Sequence, residues 1–237
     1  MLDTILFDLD GTLLPLDMDE FMRIYFGEMG RTFHDIIEAD KLVSYVWAGT
    51  KAMISSLEKK TNEQVFMDTF GKLINSDISV YIDRFDRFYD EGFLKVRESV
   101  ESSPLVKDAV DVLKSKGYSL VIATNPLFPN KAILYRINWA GLKPEDFIYV
   151  SCYEKNCYCK PNLEFYTEVL ESIGKRPEQC LMVGNDVQED MIASMLGIKT
   201  YLITNHLINR SNQPIVCDYQ GTYEDFYKFV CELPRLG

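Results

Sequence analysis

Asp8 and Asp10 stand two residues apart at the end of an apolar run, in Thr4-Ile5-Leu6-Phe7-Asp8-Leu9-Asp10-Gly11-Thr12-Leu13. Side chains repeat every two residues along a strand, so both acids project to one side where the strand gives way to a turn. Two carboxylates so placed repel one another unless a cation lies between them, and burying them without a partner is unfavourable. The alternative is purely structural, since Asp-Gly is a common turn pair. Three further polar groups follow apolar runs. Ala123-Thr124-Asn125-Pro126 offers a hydroxyl and backbone N–H groups that can cradle phosphate oxygens, although Thr-Asn-Pro is also ordinary turn chemistry. Lys160-Pro161 places an ammonium at a strand-to-helix junction, where it could neutralise two acids or a phosphate; a solvated lysine ahead of a helix-starting proline would look the same. Val183-Gly184-Asn185-Asp186-Val187-Gln188-Glu189-Asp190 carries Asp186 and Asp190 four residues apart. If a helix has begun there, they share a face and can reach one cation; otherwise they are acids suited to a helix N-terminus.

For four such sites to meet, the chain must bring the ends of several strands to one rim. Thr4 to Leu9 reads as a buried strand ending at Gly11. From about Asp17 to Ser99 the apolar spacing turns helical, with Phe21, Ile24, Tyr25, Val80, Phe85 and Phe88 as face positions. After Pro104 the chain alternates. A helix (Leu105 to Lys116) leads to a strand (Ser119 to Ala123), a helix (Asn130 to Trp139) and a strand (Phe147 to Ser151). A helix (Leu163 to Ile173), a strand (Cys180 to Val183), a helix (Gln188 to Leu196) and a strand (Lys199 to Ile203) follow. Repeated units of this length imply an α/β fold: a Rossmann-like parallel sheet with helices on both faces. Ligands in such sheets collect at the carboxyl ends of the strands, near the topological switch point.

The 237 residues suffice for one α/β domain with a smaller insertion, and 47% hydrophobic residues can fill its core. A formal charge of −11 argues against nucleic acid as a partner, because phosphate backbones are gripped by basic surfaces. A small molecule fits better, and an anionic one would require positive charge built into the site. No apolar run approaches the roughly 20 residues of a membrane span. The N-terminal residues do not resemble a signal peptide, and the six cysteines read as reduced thiols, so a cytoplasmic location is expected.

With its four motifs in this order, the chain resembles the haloacid dehalogenase-like hydrolases. Asp8-Leu9-Asp10-Gly11-Thr12-Leu13 matches their opening motif, and Thr124, Lys160 and the segment Gly184 to Asp190 stand in the order and spacing of the other three. The stretch Arg136 to Leu142 is similar to the region after the second motif. The resemblance covers essentially the whole chain. It implies a core of residues 1–16 and 100–237 with a helical cap domain, residues 17–99, inserted between the first two motifs. It also implies a Mg²⁺-dependent phosphohydrolase acting on a small phosphorylated metabolite. Asp8 would be the nucleophile and Asp10 the acid and base; Asp8, the Asp10 carbonyl and Asp186 would ligate the metal, with Asp190 acting through water or on Lys160. Thr124, Lys160 and backbone N–H groups near Leu9 and Asn125 would bind the phosphoryl oxygens. Where the fourth motif commonly has its first Asp this chain has Asn185, so the metal role passes to the adjacent Asp186. Dehalogenases usually carry Tyr at the position of Asp10, which favours phosphoryl chemistry. A phosphomutase, a phosphonate hydrolase or a silent module that binds phosphorylated ligands are the alternatives on the same core. Cys152, Cys157 and Cys159 ahead of Lys160 resemble a zinc loop of some relatives, but the two histidines, His34 and His206, are remote in sequence.

Overall fold

The computed structural model describes residues 1–74, 76–101, 103–211 and 214–237. Six strands form one sheet: β1 (Thr4–Phe7), β2 (Ser119–Ile122), β3 (Tyr149–Val150), β4 (Cys180–Gly184), β5 (Lys199–Ile203) and β6 (Tyr219–Gly221). Their order is β3-β2-β1-β4-β5-β6, and every neighbouring pair is parallel. β1 is central, with Phe7 level with Ile122 on one side and Val183 on the other. The chain therefore leaves these three strands side by side, and this is the switch point of the sheet.

After β1 come four helices, α1 (Met18–Phe33), α2 (Ala39–Ser55), α3 (Asn62–Leu73) and α4 (Ile78–Asp90), and then a 3₁₀ stretch, Gly92–Ser99. Asp17 caps α1 by accepting from the Glu20 N–H at 3.0 Å, and Thr61 with Gln64 forms a capping box on α3. The sequence places Val80 on the buried face of α4, but Val80 is exposed and Tyr81 is buried instead. Val80 and Phe85 are five positions apart, which turns the helix well off one stripe, whereas Tyr81, Phe85 and Phe88 recur at four and three. Phe85 packs with its ring centroid 4.8 Å from Phe33 and 5.3 Å from Phe70.

The remaining helices are α5 (Pro104–Ser115), α6 (Asn130–Trp139), α7 (Leu163–Ile173) and α8 (Tyr223–Glu232). Alternate strand residues divide between the two faces of the sheet. Ile5, Phe7, Ile122 and Val183 belong to one core with Val110 and Leu113 of α5 and Phe226 and Val230 of α8; Leu6, Val121 and Met182 belong to another with Phe165 and Val169 of α7. Each such side chain, wholly buried, contributes about 1.5–3 kcal/mol. Among the described residues no helix is long and apolar enough to cross a membrane.

Three expectations are corrected. The strand expected over Phe147 to Ser151 is two residues long. The helix expected from Gln188 to Leu196 is a turn followed by a 3₁₀ stretch, Met191–Leu196. Its first N–H groups are taken by side chains instead: Asp186 Oδ1 accepts from Gln188 and Glu189, and Asp190 Oδ2 accepts from Asp186 N. Such local bonds compete with a helix. Finally, the expectation stops at Ile203, but the chain adds β6 and α8, the latter with a capping box of Thr222 and Asp225.

Candidate active site

Asp8 follows β1 directly, its N–H donating to Val183 O at 2.9 Å. Thr124 comes just beyond the end of β2, and Asn185 and Asp186 follow β4. Lys160 arrives from the segment between β3 and α7, and its side chain is fully buried. Its Nζ donates to Asp190 Oδ1 at 2.6 Å and to Asp8 Oδ1 at 3.0 Å. Burial alone would pull this ammonium down. The charges of Asp190 and Asp8 more than reverse that, and Lys160 stands well above the ordinary lysine range.

Asn125 fixes Lys160 from the backbone. Its Oδ1 accepts from Lys160 N at 3.2 Å, and its Nδ2 donates to Lys160 O at 3.3 Å and to Glu189 Oε2 at 3.0 Å. Two glycines let the pieces close up. Gly11 has φ +79°, which a side chain disfavours, and a Cβ there would strike the Asn185 amide. At Gly184 a Cβ would strike the Asp190 carboxylate.

The structure separates the three residues of the fourth motif. Asn185 links protein segments: its Oδ1 accepts from Thr12 Oγ1 at 3.1 Å and its Nδ2 donates to His206 O at 2.7 Å. Asp190, 1% exposed, turns to Lys160. Asp186 pairs with Arg210, Oδ2 to Nη1 at 2.5 Å, and Arg210 also lies 3.7 Å from Glu189. Thr12 and Glu189 lie inside the first and fourth motifs without a role expected of them, and Arg210 lies outside all four.

A further residue that the motifs do not point to is Arg136 on α6. It is wholly buried, its Nη1 pairs with Asp10 Oδ2, and its guanidinium lies 4.4 Å from the Phe128 ring centroid. The sequence does carry a sign of it, because Arg136 sits among the buried positions Ala132, Ile133 and Ile137 of its helix. A charge on an apolar face needs a buried partner. Burial raises the Asp10 carboxyl above its ordinary range, with Arg136 opposing. Asp10 Oδ1 is shut off from solvent and has no hydrogen-bond partner among the described residues.

Asp8, Asp10, Thr124, Asn125, Asn185, Asp186 and Asp190 line one cavity of about 310 Å³. Around it the carboxylates of Asp8, Asp10, Asp186, Glu189 and Asp190 outnumber the three cations Arg136, Lys160 and Arg210, which hold them by ion pairs or hydrogen bonds. The formal excess of two negative charges and the all-oxygen donors suit a hard divalent cation. Among the described residues no group of three or more His, Cys, Asp or Glu is arranged to hold a metal. Asp8 and Asp186, both on the cavity, are the carboxylates that could serve an ion of the kind that takes one or two of them and keeps several waters. Cys152 and Cys159 are part of the apolar core, and burial with the nearby Glu154 pushes the Cys152 thiol up to about 12.

The haloacid dehalogenase-like hydrolase family model matches residues 2–194. A phosphoglycolate phosphatase of Aquifex aeolicus is 25% identical over 201 residues, covering 84% of this chain and 83% of its own. A pyrophosphatase of Bacillus cereus is 24% identical, covering 89% and 87%. The crystal structure of a 2-haloacid dehalogenase from Pseudomonas syringae superposes with a TM-score of 0.65 at 18% identity, covering 98% of each chain, and shares the fold.

Proposed function

The chain belongs to the haloacid dehalogenase-like hydrolases, and from that membership we propose that it is a phosphatase that hydrolyses a small phosphorylated metabolite with Mg²⁺ through a phosphorylated Asp8. The observation that carries this reading is the meeting of Asp8, Asp10 and Asp186 on one cavity, with Lys160 buried against Asp8. Asp8, Asp186 and the Asp10 backbone carbonyl would hold Mg²⁺, with Asp190 acting through water, and the ion would supply positive charge against the phosphoryl oxygens. Asp8 attacks phosphorus; the Asp8 O–P bond forms as the bond to the leaving oxygen breaks. Asp10 gives that oxygen a proton, then takes one from the water that attacks the aspartyl-phosphate and frees phosphate and Asp8. Arg136 holds Asp10 Oδ2 and so fixes the carboxyl beside the cavity that Asp10 lines. Thr124, Lys160 and the N–H groups near Leu9 and Asn125 hold the transferring oxygens, each well-placed donor worth on the order of 3 kcal/mol.

Asp10 also speaks for phosphoryl transfer over dehalogenation, since a halide leaves without a proton. We assign residues 17–99 as a cap over a core of 1–16 and 100–237. The two connections run paired: Leu16 bridges Val100, Asp17 N donates to Ser99 O at 3.0 Å, and Glu101 N donates to Pro15 O at 2.8 Å. A cytoplasmic enzyme without nucleic-acid or membrane partners accords with the acidic surface. Asp8→Asn is expected to abolish Mg²⁺-dependent turnover of an aryl phosphate while circular dichroism stays unchanged; retention of most activity would refute the assignment. In Asp10→Asn the second step should suffer most, so phospho-enzyme becomes trappable.

A further inference from the structure

The cavity has two unlike ends. Its floor carries the carboxylates, Thr124 and Asn125; its far wall is built by Met22, Phe26, Trp47, Phe66, Phe85 and Tyr89 from the helical block. Arg210 is the only basic side chain among the described residues that line it, and Arg210 is engaged by Asp186 and Glu189. Two hydroxyl contacts tie this wall to itself. Tyr25 and Tyr89 bond to each other at 3.0 Å, and Thr50 donates to Val46 O at 2.9 Å. Burial pushes the Tyr25 phenol up to about 12, so it stays neutral.

Relying on the phosphatase reading, we propose that the substrate is a phosphate monoester whose leaving group is an uncharged, largely apolar ring system. A second anionic group would have to enter a wall with no free cation and face carboxylates below it, which leaves its charge desolvated and unpaired. An aromatic body instead meets rings on several sides, where stacked and edge-to-face contacts are favourable. The volume, about 310 Å³, lies at the small end of ligand cavities and suits a phosphate with one or two rings. Half-exposed Trp47 stands at the solvent side, 5.9 Å from Phe26, so this wall is reached from outside. The phosphatase reading by itself names no leaving group. Phosphoglycolate and pyrophosphate, the compounds in the relatives' names, both carry the second acidic group that this wall does not accommodate.

The test is a comparison of 1-naphthyl phosphate, phosphoglycolate and pyrophosphate as substrates of the Mg²⁺-loaded enzyme. It is joined to calorimetric binding of two non-hydrolysable probes, 1-naphthylmethylphosphonate and phosphonoacetate. The naphthyl ester is expected to show kcat/KM at least about tenfold above either diacid, and the naphthyl probe to bind at least about tenfold tighter than phosphonoacetate. Trp47→Arg, at a half-exposed position that does not endanger folding, should lower both ratios at least about threefold. Equal or reversed ratios in turnover and binding would overturn the ligand class while leaving the phosphatase reading intact. Selective binding of the naphthyl probe without turnover of any ester would support the ligand class and remove the phosphatase reading. Failure of both probes to bind would overturn the ligand class.

Discussion

Arg136 and Asp10 form an ion pair within the fold, and neither can be removed without leaving the other exposed to a medium of low polarity. Breaking such a pair typically costs 3–5 kcal/mol, because one charge is left uncompensated. Arg136→Met is therefore expected to lower stability by about 3 kcal/mol and to depress kcat. Adding Asp10→Asn to it should cost far less than the two single changes together, as a denaturant-midpoint double-mutant cycle would measure. Additive losses would mean the pair is not coupled. Asp8, Asp10 and Thr124 were legible as candidates because each stands at the end of an apolar run, and Lys160 because it precedes a helix-starting proline. Arg210, in a loop, was not; Arg136 showed only as a charge on the apolar face of its helix, and three-dimensional proximity alone joins the two to Asp186 and Asp10.

At the scale of elements, α4 separates burial from mere hydrophobicity. Phe85 is packed against Phe33, Phe66 and Phe70, so Phe85→Ala should destabilise by about 3–5 kcal/mol. Val80 is 45% exposed, and Val80→Asp should change stability by no more than about 0.5 kcal/mol. Thermal or urea unfolding of the two variants checks this, and a costly Val80→Asp would contradict the packing. Helices with regular spacing, such as α6 and α7, could be read to the residue. β3 and β6 are the edge strands of the sheet and only two and three residues long, and the apolar signal of a buried strand is weak in them. The turn after β4 hid for a different reason: its acids bind their own backbone and suppress the helix that the spacing suggests.

Across the whole molecule, the sheet gathers more negative than positive charge at one rim, and an ion that binds only the folded chain stabilises it by mass action. Mg²⁺ is expected to raise the melting temperature in a concentration-dependent way, and a chelator to reverse the rise. Asp186→Asn should weaken the shift at least about tenfold in the Mg²⁺ concentration required, as scanning calorimetry would record. An unchanged shift in that variant would remove Asp186 from the ligand set. The parallel α/β architecture was legible because it repeats, strand after helix. That aromatics of the helical block would be core, with a few closing over the substrate, was legible from their spacing; which of them face the cavity was not, since that depends on how separate helices pack.

The paired connections at Leu16 and Val100 carry a consequence for how such molecules diversify. Both ends of the intervening helices leave the sheet as neighbours, and the block touches the core again through contacts such as Asn62 N to Asn156 O and Glu63 N to Tyr153 O. Any folded cassette whose own termini sit side by side could be spliced at this stalk and would inherit the same floor of acids. Recognition could thus be exchanged with the cassette, provided the newcomer replaces the contacts that Asn62 makes with Pro126 and Asn156.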